Sequence, residues 1–390
     1  MKHSYSDMVE NVQFMEYITG PYSRSMTPRW SIMSTDLGIP FYSSKNNCMY
    51  MIFGDTFGTQ WPSKEKERDK WRGNVLGIIE NTDLSNGLIF NDFIKDNKGD
   101  ARYLFDFHGY TSDKNIEVTK IGQGGIEVNG ALYMFVESIR SWGQSGFWNV
   151  NYTGVIKSTD NAETWERVYD LSWVETDEGE FKDVIQELVQ ENNDMQPSGV
   201  EVNLSERVAP FFGQIYPVDG KDGYIYIYGR RAGRQFGIKC GRVKKADFEN
   251  FQAYEYLIGF DANNDPIWVK GTAGLKAIAE NDEASYIVST PASNMTVFYN
   301  NYLNKWVLLY FKPGVGIVMR TSETPYGKFL EEDEQIVLSK DYPLPAGEGG
   351  LYGAFSHELF QSNNGKTFYF IVSQWNKVTY NSMLYKCELK

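Results

Sequence analysis

Short aromatic and β-branched runs, each closed by Gly, Asn or Asp, recur through nearly the whole chain, and this rhythm limits the fold more than any other feature. Cys48 to Phe53, Ala131 to Glu137, Thr153 to Lys157, Tyr224 to Tyr228, Ser285 to Ser289, Trp306 to Phe311, Gly316 to Thr321 and Thr367 to Ser373 each have the length and composition of a strand. Asn129-Gly130 separates two such runs as a hairpin turn, and Asn300 to Lys305 takes the same place between Val297 and Val307. Strands at this spacing predict an all-β protein, and four-stranded units repeating every several tens of residues predict a β-propeller rather than alternating βα units. No Pro/Ser linker or low-complexity tract divides the 390 residues, so a single propeller domain over 1–390 is expected. One stretch departs from the rhythm. Phe181, Val184, Ile185, Leu188 and Val189 fall at helical spacing between Glu178 and Asn193, which predicts a short amphipathic helix within an insertion of about 166–206.

Lys157-Ser158-Thr159-Asp160-Asn161-Ala162-Glu163-Thr164-Trp165 reads as an Asp-box, the Ser-x-Asp-x-Gly-x-Thr-Trp turn of sialidase-type propellers, with Ala162 at the usual glycine. Asp160 is assigned to the turn, where its oxygens accept main-chain N–H groups, and not to chemistry. Met319 to Phe329 reads as a second blade ending, a strand running into a Pro-Gly turn.

Composition narrows the function. A net charge of −13 without a dense Lys/Arg run excludes nucleic acid as the expected partner, because phosphate recognition needs a basic stripe. The aromatic fraction of 15%, with 26 Tyr, 24 Phe and 10 Trp, exceeds what a core requires and suits stacking on the apolar faces of sugars. His3, His108 and His357 show no HExxH spacing, and Gly122-Gln123-Gly124-Gly125 lacks a Walker lysine or Rossmann context, so neither a metal nor a cofactor is expected. Cys48, Cys240 and Cys387 are scattered and odd in number, which rules out a fully paired disulfide framework. No apolar run approaches a membrane span, and Met1 to Gly20 lacks the charged-then-apolar order of a signal peptide. Location therefore stays open between an extracellular or periplasmic protein whose leader was removed and a phage-encoded protein released by lysis.

What remains for chemistry is carboxylates, amides and rings, the inventory for cleaving a glycosidic bond. Phe53-Gly54-Asp55-Thr56-Phe57-Gly58 ends an apolar strand on an acid, where desolvation is costly unless the group is paired or protonated. Asp36, in Ser34-Thr35-Asp36-Leu37-Gly38, is its expected partner, because Pro40 to Met51 can form a strand, turn and strand that bring the two acids to one pocket. Asp55 is read as nucleophile or base and Asp36 as proton donor, with exchange of roles left open. A bare turn cap at Asp55 is the competing reading. Trp71, Arg72 and Asn74 supply a sugar platform, a charge partner for one aspartate and an amide, with core packing and a surface salt bridge as the alternatives for the first two. Gln123, Trp148, Asn149, Asn151, Gln214, Arg234 and His357 complete the expected substrate contacts, each weak alone. Glu137 follows a strand.

These same pieces resemble the DUF4185 family, associated with endo-D-arabinanases of glycoside hydrolase family 183. The matching residues are Asp36-Leu37-Gly38, Phe53 to Phe57, Trp71 to Val75, Gly124-Gly125-Ile126, Trp148 to Asn151 and the Ser158 to Trp165 box. Gly229 to Arg234, Tyr352 to His357 and Ser373-Gln374-Trp375 extend the likeness over most of the chain. The resemblance implies a five-bladed β-propeller that hydrolyses internal α-D-arabinofuranosyl bonds of cell-envelope arabinan, with the positions of Asp36 and Asp55 as the acidic pair. A non-catalytic glycan-binding propeller, such as an adhesin or a phage attachment protein, is the alternative, and a lyase is a weaker third.

Overall fold

The computed structural model describes residues 7–59, 70–105, 117–176 and 203–390. Among the described residues, five antiparallel sheets make an all-β, five-bladed propeller, the class that the strand rhythm predicts with the blade number that the family resemblance implies. The chain forms two compact units, Met1–Leu104 with Ala292–Lys390, and Phe105–Pro291.

The first unit holds three of the sheets. One contains Ser34–Ser43, Cys48–Phe57, Val75–Ile79 and Asp92–Phe93, with the short strand Trp71–Arg72 paired to the end of Cys48–Phe57. Another contains Met295–Asn300, Lys305–Lys312, Gly316–Ser322 and Gln335–Ser339. In the third, Gly350–Phe355, Thr367–Trp375 and Tyr380–Leu389 from the end of the chain are completed by Val9–Tyr17 from its beginning, so that Val9 pairs with Leu389. This mixed blade ties together residues remote in sequence. Its inward faces, including Val12, Phe370, Val372 and Tyr385, join Phe298, Leu309 and Met319 in one apolar core.

The second unit holds two sheets. Thr119–Val128, Ala131–Trp142, Trp148–Ser158 and Glu166–Val174 form a four-stranded meander. Gln214–Asp219, Tyr224–Arg230, Ile238–Lys244, Glu255–Phe260 and Pro266–Lys270 form the other, beside the one α-helix among the described residues, Gly271–Glu280. Trp173, Phe212, Tyr254 and Tyr256 anchor their common core. Glu166–Val174, within the span expected for an insertion, is instead an outer strand of the meander. The helix expected between Glu178 and Asn193 lies outside the described residues.

The Asp-box turn forms as its residues demand. Asp160 Oδ1 accepts the Thr164 N–H at 2.8 Å and the Ser158 hydroxyl at 2.9 Å, and Trp165 Nε1 donates to the Ala162 carbonyl at 3.1 Å. Ala162 sits at φ 70°, the left-handed region that explains why glycine is usual there.

The three cysteines are free and buried. Among the described residues, no helix is long and apolar enough to cross a membrane.

Candidate functional site

Asp36 and Asp55 come together through an irregularity that strand alternation does not reveal. Thr35 pairs with Thr56 and Leu37 pairs with Phe53, so the single residue Asp36 opposes both Gly54 and Asp55. That is a β-bulge, and it turns side chains that would alternate between faces toward one another. A second, opposite bulge follows at once, with Gly38 as the extra residue on the other strand, so the register beyond Ile39 is the one that held before Thr35. Gly38 meets this demand at φ 107°, but Leu37 is also left-handed at φ 67°, a strained conformation for a branched side chain. Neighbouring strands hold it there. Ser373 Oγ accepts the Leu37 N–H at 2.8 Å, and the Ser382 hydroxyl donates to the Leu37 carbonyl at 2.8 Å. Gly54 is required for a different reason: a Cβ there would lie 2.5 Å from Asp36 Oδ1.

The two carboxyls have different surroundings. Trp71 Nε1 donates to Asp55 Oδ1 at 3.1 Å, and Tyr103 packs edge-on against the Trp71 ring. Asp36 Oδ2 accepts the Tyr352 hydroxyl at 2.7 Å, and the Tyr380 hydroxyl also hydrogen-bonds Asp36. Both acids keep a partly open face. Dense protein around the Asp55 carboxyl, with Asp36 beside it, pushes its pKa up to about 8 against the opposing Trp71 hydrogen bond. Burial and the two neighbouring acids likewise raise the Tyr380 phenol well above its ordinary value. A carboxyl that holds its proton at neutral pH beside a second carboxyl is the arrangement general acid–base chemistry uses.

Tyr352 and Tyr380 were not singled out as contacts by the sequence. Tyr352 is 316 positions from Asp36, and only the fold brings it near. It too stands at a bulge, where the register slips between Tyr352 and Phe355 and Gly353 takes φ 82°.

Of the other expected contacts of this unit, Trp71 adjoins the pair through Asp55. Trp71 keeps a partly exposed face beside Asp55. Arg72 takes a different part from the one expected: Nη1 donates to the Ala101 carbonyl at 2.8 Å and Nη2 to the Ser31 carbonyl, while its nearby acids are Asp100 and Asp96. The expected pairing with an aspartate is thus replaced by anchoring of two main-chain segments. Asn74, 1% exposed, spends its Oδ1 on the Leu104 N–H at 3.0 Å. His357 Nδ1 accepts the Leu359 N–H at 3.1 Å and its ring meets Phe360 edge-on, which places it in a local turn.

In the second unit, a buried acid organises the expected amides. Glu137 is 2% exposed, and its Oε1 accepts Gln123 Nε2 at 2.7 Å and Gln214 Nε2 at 3.0 Å. Trp148 Nε1 reaches its Oε2 at 3.4 Å. Burial pushes Glu137 up to about 8, opposed by the Arg230 charge and by the Gln214 and Trp148 hydrogen bonds. A bulge contributes here as well: Gly122 pairs with Val136 and Gly124 with Phe135, leaving Gln123 as the extra residue.

Asn151, fully buried, donates to Ser138 Oγ at 3.0 Å, and Asn149 donates to Ser141 Oγ at 3.1 Å. The Arg234 main-chain N–H donates to the Gly146 carbonyl at 3.0 Å. Among the described residues, no three His, Cys, Asp or Glu side chains cluster as a metal site would require.

Comparison with known proteins supplies a family and a fold. The family described as "Domain of unknown function (DUF4185)" matches residues 23–386. A protein of Aspergillus versicolor named Notoamide biosynthesis cluster protein J' is 24% identical over 366 residues, covering 90% of this chain and 83% of its own. Among solved structures, a candidate hydrolase of Bacteroides ovatus superposes with a TM-score of 0.51 at 14% identity, covering 96% of this chain and 87% of that one. A Bacillus subtilis arabinanase is similar at a TM-score of 0.43 and 12% identity, covering 90% of this chain and 95% of that one.

Proposed function

This chain belongs to the DUF4185 family, and we propose that it is a glycoside hydrolase whose working groups are Asp36 and Asp55. The observation that carries this reading is the bulge that opposes Asp36 to Gly54 and Asp55, leaving one carboxyl protonated near neutral pH beside another. Glycosidic cleavage needs that division of labour: an acid to protonate the leaving oxygen and a carboxylate to act as base or nucleophile.

Of the two assignments the sequence leaves open, the electrostatics favour Asp55 as the proton donor. Its carboxyl retains a proton up to about pH 8, and the Trp71 indole fixes one of its oxygens. Asp36, with Tyr352 and Tyr380 as hydrogen-bond partners, is the base or nucleophile. The phenols orient the Asp36 carboxyl through their hydrogen bonds. Trp71 offers a ring face beside the acid for a sugar. The substrate we propose is an arabinan of a cell envelope, cut at internal α-D-arabinofuranosyl bonds, as the resemblance of the Asp36, Asp55 and Trp71 segments implies.

Incubation with mycobacterial arabinogalactan tests this directly. New reducing ends are expected from the wild-type protein and far fewer from Asp36→Asn or Asp55→Asn, with both variants retaining the native fold by circular dichroism. Near-normal activity in either variant overturns the assignment. Binding without product points to the adhesin-like alternative, and ultraviolet-absorbing unsaturated products point to a lyase.

A further inference from the structure

The second unit contains a cavity of about 360 Å3 lined by Phe147, Trp148, Asn149, Glu175, Arg231 and Phe236 among others. This is within the range of small-ligand sites, roughly 300–1,000 Å3. Two of its polar groups, Glu175 and Arg231, face each other as opposite charges, and Arg140 also acts on Glu175. Glu175 Oε2 is buried without a hydrogen-bond partner among the described residues. The Arg231 guanidinium lies over aromatic rings, 4.7 Å from the centre of Phe211 and 5.4 Å from that of Phe236. A buried carboxylate oxygen left without a donor carries a desolvation penalty that a bound donor would remove.

The walls around these groups are fixed. The Gly146 carbonyl receives both the Arg234 N–H and Gln235 Nε2 at 3.0 Å, which joins the 143–149 turn to the 231–236 loop. The Gly143 N–H donates to the Phe147 carbonyl at 2.9 Å. Trp148 is tied through its indole nitrogen to Glu137, itself clamped by Gln123 and Gln214. Glu137 is therefore a positioning residue for one wall of the cavity. A site whose walls are set before the ligand arrives loses less entropy on binding.

Chemistry selects the occupant. A simple anion would meet the Glu175 carboxylate, a simple cation would meet Arg231 and Arg140, whose charges already act on Glu175, and an apolar molecule would leave Glu175 Oε2 unpaired. A neutral ring with several hydroxyls satisfies all three constraints: one hydroxyl donates to Glu175, another accepts from Arg231, and the C–H face lies against Trp148 or Phe147. We propose that this cavity is a binding site for a sugar unit of a neutral glycan, with Glu175 and Arg231 as its polar contacts and Trp148 as its platform. The proposal rests on the carbohydrate reading of the aspartate pair for its choice of probes, but its residues are separate from that pair.

Calorimetric titration in the Asp55→Asn background tests it, using a linear D-arabinofuranosyl oligosaccharide, a neutral cello-oligosaccharide and an acidic oligogalacturonide. At least one neutral probe is expected to bind and the acidic probe to bind more weakly. Adding Glu175→Gln or Trp148→Ala should weaken the neutral probe about tenfold or more, as loss of a hydrogen bond to a charged group or of a stacking face predicts. Unchanged thermal unfolding shows that the added substitution has not undone the fold. If Trp148→Ala unfolds, Glu175→Gln and Arg231→Lys decide. Equal affinity in those variants, preference for the acidic probe, or no binding of any probe overturns the proposal. Wild-type hydrolysis with unaltered binding in Glu175→Gln sinks the cavity alone. Binding that depends on Glu175, in a protein that cleaves nothing, sinks the hydrolase alone.

Discussion

Two carboxyls in this molecule, Asp55 in one unit and Glu137 in the other, are pushed up to about 8, and both stand where a β-bulge breaks a strand pair. The device is shared, but the residues it brings in differ. Opposite Asp36 the bulge presents Gly54 and Asp55, so burial and then a second acid raise Asp55. Beside Glu137 the extra residue is Gln123, a donor whose Nε2 sits 2.7 Å from the acid. Asp55 keeps an open face that a substrate can reach, whereas Glu137 is sealed at 2% exposure. A perturbed carboxyl is thus not enough to mark a catalytic group, because a sealed one can orient neighbours but cannot meet a glycosidic oxygen.

The largest expected effect separates the two on turnover. Asp55→Asn should lower kcat by about 10²–10⁴-fold, the range for removing a general acid, with little change in KM. Glu137→Gln keeps the shape of the side chain but sets an amide against the Trp148 N–H, so its effect should appear mainly as weaker glycan binding. A Glu137 variant that lost turnover as completely as Asp55→Asn, with unaltered binding, would erase the distinction.

The pH dependence of stability comes next in size. A carboxyl whose folded pKa lies above its unfolded value binds a proton more tightly in the native state. Stability then falls as pH rises from the unfolded pKa to the folded one and is level beyond. For Glu137 that window runs from 4.5 to about 8. With the group so deeply buried, the loss across it is expected to be ~3–5 kcal/mol. Asp55 contributes with the same sign over a window from 3.8 to about 8. Urea unfolding from pH 5 to 9 should show the decline, and Glu137→Gln should flatten much of it. Asp36→Asn should lower the Asp55 pKa and leave that of Glu137 in place, which infrared titration of the protonated carboxyls can read. A wild-type curve that rises through this window would show that neither proton is held as described.

Truncating the sealed acid should cost less than that, but still a substantial fraction of a domain's stability. Glu137→Ala leaves the Gln123, Gln214 and Trp148 donors and the Arg230 charge facing a void, for about 2–4 kcal/mol. The corresponding loss for Asp55→Ala should be smaller, because its neighbour is a repelling acid and its face is partly solvated. Equal losses in denaturant unfolding would contradict the view that one centre is a clamp and the other a reactive pair.

Strand rhythm, hairpin turns and the Asp-box were legible because they are local: each rests on side-chain types within about ten residues. The closing strand Val9–Tyr17 was not, since its pairing with Tyr380–Leu389 depends on the ends of the chain. Asp36 and Asp55 could be paired from sequence because a short hairpin joins them, yet the bulge that opposes them leaves no trace in an alternation pattern. Tyr352 and Tyr380 come from another blade of the same unit, so no spacing could have tied them to Asp36. Arg72 illustrates the opposite error. Proximity in sequence suggested an ion pair, while burial gave its N–H groups to the Ala101 and Ser31 carbonyls. Gln123 and Gln214 were recognised as polar residues among rings, but their common partner Glu137 emerged only from the fold.

The smallest effect concerns how the aspartate centre is held in place. Its geometry depends on backbone strain at Leu37, which Ser373 and Ser382 restrain from neighbouring strands, whereas Glu137 is restrained by side chains that touch it directly. Ser373→Ala removes one hydrogen bond, about 1 kcal/mol of stability, and allows the Leu37 peptide to relax. Because Asp36 precedes that peptide, the relaxation should move it relative to Asp55 and lower the Asp55 pKa. The alkaline limb of the pH–rate profile would then shift to lower pH while KM changes little. The Glu137 infrared band should stay where it is, since its clamp shares no residue with this support. A profile unmoved by Ser373→Ala would mean that the bulge itself, and not the serine that braces it, fixes the distance between the two acids.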